Sequence, residues 1–194
     1  YVLATANSKH PDMAVSMAQR WFAGLGKEVV ELPVRSRQDA NSKDLAARAA
    51  RGGMFYMVGG NPGRIAEILR GSLVWESILT AWRAGAALGG SSAGAMVLAK
   101  NTLVDGRAVD GLDLVHEAAV LPHYNTFGQS WAANARASLG EKTWLLGLDE
   151  RTALLPVCHP WPEAVVLSLA AEAPADLDLG LEALQAERLD HGWQ

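Results

Sequence analysis

Apolar positions along this chain follow two rhythms. Short, nearly unbroken hydrophobic runs alternate with longer stretches in which apolar residues return every three or four positions. Tyr1–Thr5, Val29–Pro33, Met54–Val58 and Ala86–Leu88 are of the first kind and predict buried strands. Asp12–Leu25, with Met13, Met17 and Trp21 on one stripe, predicts a helix closed by Gly26. Ala40–Arg51 predicts a second helix, ended by Gly52-Gly53, and about Gly63–Arg70 and Leu73–Ala84 two more. A short helix follows Ala95 to about Ala99. Ala118–Leu121 is an apolar run before Pro122-His123, Ser130–Leu139 reads as helix, and Leu145–Leu148 and Thr152–Leu155 flank Asp149-Glu150. Val165–Leu169 predicts a further strand and Leu181–Leu189 a last helix. Apolar strands alternating with helices are the pattern of a mostly parallel sheet covered on both faces. Sites in such sheets form beyond the carboxyl ends of the strands. Three predicted strands end there in loops able to do chemistry: Gly59-Gly60-Asn61, Ser91-Ser92 and His123.

Composition narrows the class. The 194 residues are 49% hydrophobic, enough for one sizeable core, and residues 1–194 read as a single domain without repeats or linkers. A formal net charge of −4 offers no basic face for nucleic acid. The longest apolar runs, such as Ala164–Ala171, are too short to span a bilayer, and Tyr1–Thr5 lacks the flank and length of a signal peptide. Cys158 is the sole cysteine, which excludes an internal disulfide and fits a reducing cytoplasm. That cysteine and five scattered histidines show no metal-ligand spacing, so no metal is expected.

Gly90-Ser91-Ser92-Ala93-Gly94 matches G-x-S-x-G centred on Ser92, between an apolar strand and an Ala-rich helix. A nucleophile there adopts a strained backbone that projects its hydroxyl over the sheet, and small residues two before and two after let neighbouring backbone pass close. The helix that follows points N–H groups at developing negative charge, so the Ala93 N–H is a candidate oxyanion donor. Ser91 fails the pattern, because Ala93 stands where its second glycine would be. Val58-Gly59-Gly60-Asn61-Pro62 supplies a second glycine turn. The Gly60 N–H is the candidate second donor, while Asn61 and Pro62 also suit a helix N-cap and first helical position.

A serine hydroxyl needs a base, and histidine is the usual one. His123 ends an apolar run at the same sheet edge as Ser92. His10 and His191 lie near the termini, His116 in a polar stretch, and His159 beside Pro160 and Trp161. Glu150, Asp149, Asp105, Asp110 and Asp113 are the candidates for the acid that orients the imidazole. Glu150 stands out by its place between two apolar segments.

Gly59-Gly60-Asn61, Gly90-Ser91-Ser92-Ala93-Gly94-Ala95, Pro122-His123-Tyr124 and Gly147-Leu148-Asp149-Glu150-Arg151-Thr152-Ala153-Leu154 together resemble, in order, the peptidase E and cyanophycinase family of serine peptidases. The resemblance implies an α/β three-layer sandwich with a mostly parallel sheet, similar to class I glutamine amidotransferases and flavodoxin-like. It implies hydrolysis of short peptides, as a dipeptidase or aminopeptidase, without a cofactor. It carries over Ser92 as nucleophile, His123 as base, and Gly60 with Ala93 as the oxyanion hole. The cyanophycinase branch places the acid at Glu150; the peptidase E branch places it between nucleophile and base, where Asp105 is the nearest match. Asn61 and Asp105 are the candidate substrate-binding residues, because an exopeptidase needs a carboxylate such as Asp105 near the mouth of the site to hold the substrate's N-terminal ammonium. The Arg-rich stretch that accompanies selection of N-terminal aspartate is replaced here by residues 128–136, in which Arg136 is the one cation.

Two other readings use the same residues. An esterase with the chain order Ser, acid, His would employ Ser92, Glu150 and His159. An amidotransferase-like domain without catalysis would bind a small ligand. Among seven tryptophans, Trp21 and Trp144 read as core, while Trp131 and Trp161 follow candidate site loops. The expected partners are a small peptide substrate and a second copy in a homodimer, with no nucleic acid and no membrane.

Overall fold

The computed structural model describes residues 1–154 and the strand segments 165–168 and 184–187. The first half runs β1 (Val2–Leu3), α1 (Pro11–Gly24), α2 (Arg37–Ala40), α3 (Lys43–Ala49), β2 (Met54–Met57), α4 (Pro62–Leu69), α5 (Leu73–Arg83), β3 (Ala87–Gly90) and α6 (Ala93–Leu98). The second runs β4 (Ala99–Val104), β5 (Arg107–Asp110), β6 (Val115–Pro122), a 3-10 turn (Gly128–Trp131), α7 (Ala132–Leu139), β7 (Trp144–Leu148), β8 (Ala153–Leu154), β9 (Val165–Ser168) and β10 (Leu184–Glu187).

The strands form two mostly parallel five-stranded sheets. One has the order β1-β2-β3-β9-β8, with only β8 antiparallel; the other has the order β10-β7-β6-β4-β5, with β5 and β10 antiparallel. Alternate residues of β1 and β2 serve opposite faces. Leu3, Phe55 and Met57 join the largest core with Ile65, Ile78 and Leu88, while Val2 meets Val15, Ala18 and Phe22 of α1 on the other side. A third cluster joins Leu103, Ala119, Leu121 and Leu145 to Ala135 of α7. Side chains on both faces of the strands explain why the runs are apolar throughout.

Helix starts follow local chemistry. Ser36, Ser42, Asn61 and Ser72 each accept a hydrogen bond from the backbone N–H three residues on, at 3.1, 3.4, 3.2 and 3.1 Å. Each such cap is worth about 1 kcal/mol. The helix expected over Ala40–Arg51 begins instead at Lys43, after the separate short helix α2. Asn41 bonds back to the Arg37 carbonyl and Ser42 caps α3, so these side chains favour local turns over a continuous helix.

The structure corrects four other expectations. Val29–Pro33 forms no strand: it makes a single parallel bridge, Glu31 to Val2. Met13 and Met17 are exposed, and α1 buries Val15, Ala18 and Phe22 instead. Both stripes satisfy helical spacing, and the smaller side chains of the second allow closer approach to β1. Trp21 and Trp144 are partly buried, and among the described residues the deeply buried indoles are those of Trp75 and Trp82. Residues 184–187, expected as helix, pair antiparallel with β7 as β10. The β4–β5 hairpin is an addition. Its Asp105-Gly106 turn has both residues at positive φ, 49° and 75°, which the Asp-Gly pair tolerates. Among the described residues, no helix is long and apolar enough to cross a membrane.

Candidate active site

Strand register brings the reactive loops together. Met57 lies opposite Gly90, so the chain after β2 and the chain after β3 emerge side by side. Pro122 lies opposite Leu148, so His123 emerges beside Asp149, one residue from Glu150.

Ser92 occupies the sharp turn from β3 into α6 with φ 50° and ψ −116°. That left-handed backbone is costly for a residue with a Cβ and persists only where its surroundings fix it. They do so by backbone contact. A Cβ at Gly90 would overlap the Gly94 carbonyl, and one at Gly94 would overlap the Met57 carbonyl oxygen. The Ser91 N–H also donates to Met57 O at 3.0 Å. Both glycines of G-x-S-x-G are therefore steric requirements of this turn.

The Gly59-Gly60 turn lies against the same serine: a Cβ at Gly59 would come within 3.3 Å of Ser92 Cβ. Gly60 has φ 143°, and a side chain there would sit 2.5 Å from the Ala6 carbonyl oxygen. The Asn61 N–H donates to that same carbonyl at 3.0 Å. The Asn61 side-chain oxygen is the α4 cap described above, so its structural use is settled. Ala93 is the first residue of α6, where a backbone N–H has no partner within its helix.

His123 also has a left-handed backbone, φ 55°. Its carbonyl accepts from the N–H groups of Thr126 and Gly128 at 3.0 and 2.8 Å and from the Thr126 hydroxyl at 3.0 Å. The Tyr124 N–H donates to Leu148 O at 2.9 Å, tying this loop to β7. His123 Nε2 lies 3.2 Å from Ser92 Oγ, and Nδ1 lies 3.3 Å from Glu150 Oε1. With the proton on Nδ1, the ring donates to Glu150 and accepts from the serine hydroxyl. The side chains of His123 and Glu150 are 22% and 37% exposed, open enough for a substrate to reach them.

Two of the other candidate carboxylates are paired elsewhere. Asp110 pairs with Arg70 at 3.3 Å, and Asp113 bonds His116 at 3.0 Å. Asp105 is the exposed first residue of the hairpin turn; its neighbour Val104 packs against Gly63 in the first turn of α4. Arg136 gives its guanidinium to the carbonyls of Gly140 and Thr143, at 2.9 and 2.8 Å, closing the end of α7. His159, Cys158, Trp161, His191 and Trp193 lie outside the described residues. Among the described residues, no three His, Cys, Asp or Glu side chains cluster as a metal site.

Two neighbours carry no sequence pattern. Asn125 Oδ1 accepts the Glu150 N–H at 3.0 Å, holding the carboxylate segment against the histidine loop. The Phe127 ring stacks on His123 with centroids 4.8 Å apart and planes at 23°. Their only sequence signal is proximity to His123.

Comparison with known proteins gives a family and a fold. The model of peptidase family S51 matches residues 3–157. A peptidase from an acI-B1 Actinobacterium is similar in structure, with TM-score 0.67 and 26% identity, over 80% of this chain and 68% of that one. A protein assigned as a peptidase E from Listeria monocytogenes EGD-e is similar with TM-score 0.56 and 18% identity, over 97% of this chain and 85% of that one. The fold is accordingly the class I glutamine amidotransferase-like α/β arrangement. No curated protein matches the chain.

Proposed function

The chain belongs to peptidase family S51 and is a peptidase by that membership, and from this premise we propose that it hydrolyses short peptides as a serine exopeptidase with a Ser92–His123–Glu150 triad. The observation that carries the reading is the continuous contact Ser92 Oγ to His123 Nε2 and His123 Nδ1 to Glu150 Oε1. Ser92 Oγ attacks the scissile carbonyl carbon while His123 Nε2 takes its proton. The carbonyl oxygen becomes an oxyanion and accepts from the N–H groups of Ala93 and Gly60. The C–N bond then breaks, and the Nε2 proton passes to the leaving amine. Water, deprotonated by the same nitrogen, releases the acyl group from Ser92. Glu150 accepts from Nδ1–H throughout and stabilises the imidazolium. Asp105, on the exposed hairpin turn, is the carboxylate we assign to the substrate's ammonium group. No metal or organic cofactor takes part.

The test is dipeptide hydrolysis by wild type and Ser92→Ala, with fluorophosphonate labelling of the wild type. Cleavage that depends on Ser92, and label on Ser92, are expected. Cleavage that survives Ser92→Ala would remove the central claim.

A further inference from the structure

The histidine loop carries a feature that the triad chemistry does not use. Phe127 is 51% exposed, although a large aromatic ring gains from burial. Its backbone and its ring both have defined partners. Gly128 follows it at a point where a Cβ would overlap the Pro122 carbonyl oxygen. The Phe127 carbonyl accepts from the Ser130 N–H at 3.1 Å and the Ser130 hydroxyl at 2.6 Å. The Trp131 ring meets it edge-on at 5.3 Å and 65°, and Trp131 is itself anchored on the cluster that contains Tyr124 and Ala135. One face of the Phe127 ring lies on the imidazole of His123. A half-exposed ring packed between His123 and Trp131, beside the reacting nitrogen, is a contact surface already in place before substrate binds.

The chemistry says which part of a peptide meets it. His123 Nε2 hands its proton to the leaving nitrogen, so the residue that contributes that nitrogen passes beside the imidazole. The acyl side is directed instead toward Gly60 and Ala93. Arg136, the one cation of residues 128–136, is occupied in closing α7. Arg151, next to Glu150, is exposed and is the remaining cation adjoining the triad segments.

We propose that Phe127, backed by Trp131, forms an apolar subsite for the side chain of the leaving residue, so that the enzyme favours peptides with an aromatic or aliphatic residue there. The proposal rests on the triad reading above. Covering part of the Phe127 ring with an aromatic side chain is worth about a tenfold gain in kcat/KM over glycine at roughly 25 cal/mol per Å².

The experiment measures kcat/KM for the dipeptides Ala-Phe, Ala-Leu, Ala-Gly and Ala-Asp with wild type, Phe127→Ala, Phe127→Leu and Ser92→Ala. The readout is the ratio of Ala-Phe to Ala-Gly within each variant, which cancels differences in the folded fraction. The wild-type ratio is expected to be about ten, to collapse toward one in Phe127→Ala, and to be largely kept in Phe127→Leu. A ratio unchanged by Phe127→Ala, with all peptides slowed equally, would mean that the ring only positions His123 and would overturn the subsite. Preference for Ala-Asp would overturn it as well and would point to Arg151. Cleavage surviving Ser92→Ala, or no cleavage of the series, would instead remove the triad reading and the subsite with it.

Discussion

The two halves of the candidate site are built by different means. The nucleophile half, residues 58–61 and 90–95, is shaped by backbone pressed on backbone, with Gly90, Gly94 and Gly60 each at a place where a Cβ meets a carbonyl group. The base half, residues 122–131 and 148–151, has one such contact, at Gly128 against the Pro122 carbonyl, and is otherwise held by hydrogen bonds of Tyr124, Thr126, Gly128 and Asn125 and by ring contacts of Phe127. Close packing resists any added atom, because repulsion rises steeply over a few tenths of an ångström. Hydrogen bonds and ring contacts give way more gradually. The geometry thus fixes the serine rigidly and leaves the imidazole and carboxylate room to tighten. The 3.2 and 3.3 Å contacts along the triad are long enough to shorten when substrate binds.

The largest expected effect joins the halves. His123→Ala should lower kcat/KM by about 10⁴-fold or more, and the Ser92→Ala, His123→Ala double variant should be no worse than either single one. Additive losses in steady-state kinetics would show that the halves do not act as a unit. Next, the construction contrast itself can be broken. Gly94→Ala should cost about 3 kcal/mol of stability, against about 1 kcal/mol for Asn125→Ala, both read from urea unfolding. Equal costs would erase the distinction. Within the base half, Glu150→Gln should lower kcat by about 10²-fold, less than a fully buried acid would, because its carboxylate is partly screened by water. The smallest effect is expected at the rim. Asp105→Asn keeps the left-handed turn, since Asn tolerates it as Asp does. Its KM for free-amine dipeptides should rise by about threefold to tenfold with kcat nearly unchanged, as one exposed ion pair is worth about 1 kcal/mol. An unchanged KM would leave Asp105 a turn residue only.

The same contrast explains what was legible. Glycine at fixed offsets from a serine is a local pattern, so the Ser92 turn is readable from the chain, although the contact that requires Gly94, the Met57 carbonyl, comes from β2. The Asn61-Pro62 helix start was equally local. The Asp105-Gly106 pair is a turn signal, but no alternating apolar run flanks it to mark a hairpin, and β5 is exposed throughout. Asn125 and Phe127 had no such signal, because their roles depend on where Glu150 and His123 lie.

By itself, then, the sequence determined the alternation of buried strands and helices, the helix caps, the strained serine turn and the order of the reactive loops. Each of these leaves a signature within a few residues, even where, as at the serine turn, Met57 of a distant strand helps to fix the geometry. Tertiary structure alone decided which stripe of α1 faces β1, whether Val29–Pro33 pairs as a strand, and which carboxylate reaches His123. The reason is distance along the chain. Glu150 stands 27 residues from His123, and His123 stands 31 from Ser92. The parallel register of β6 with β7 sets Glu150 beside His123, and α6, packed against β3 of one sheet and β6 of the other, brings Ser92 to His123.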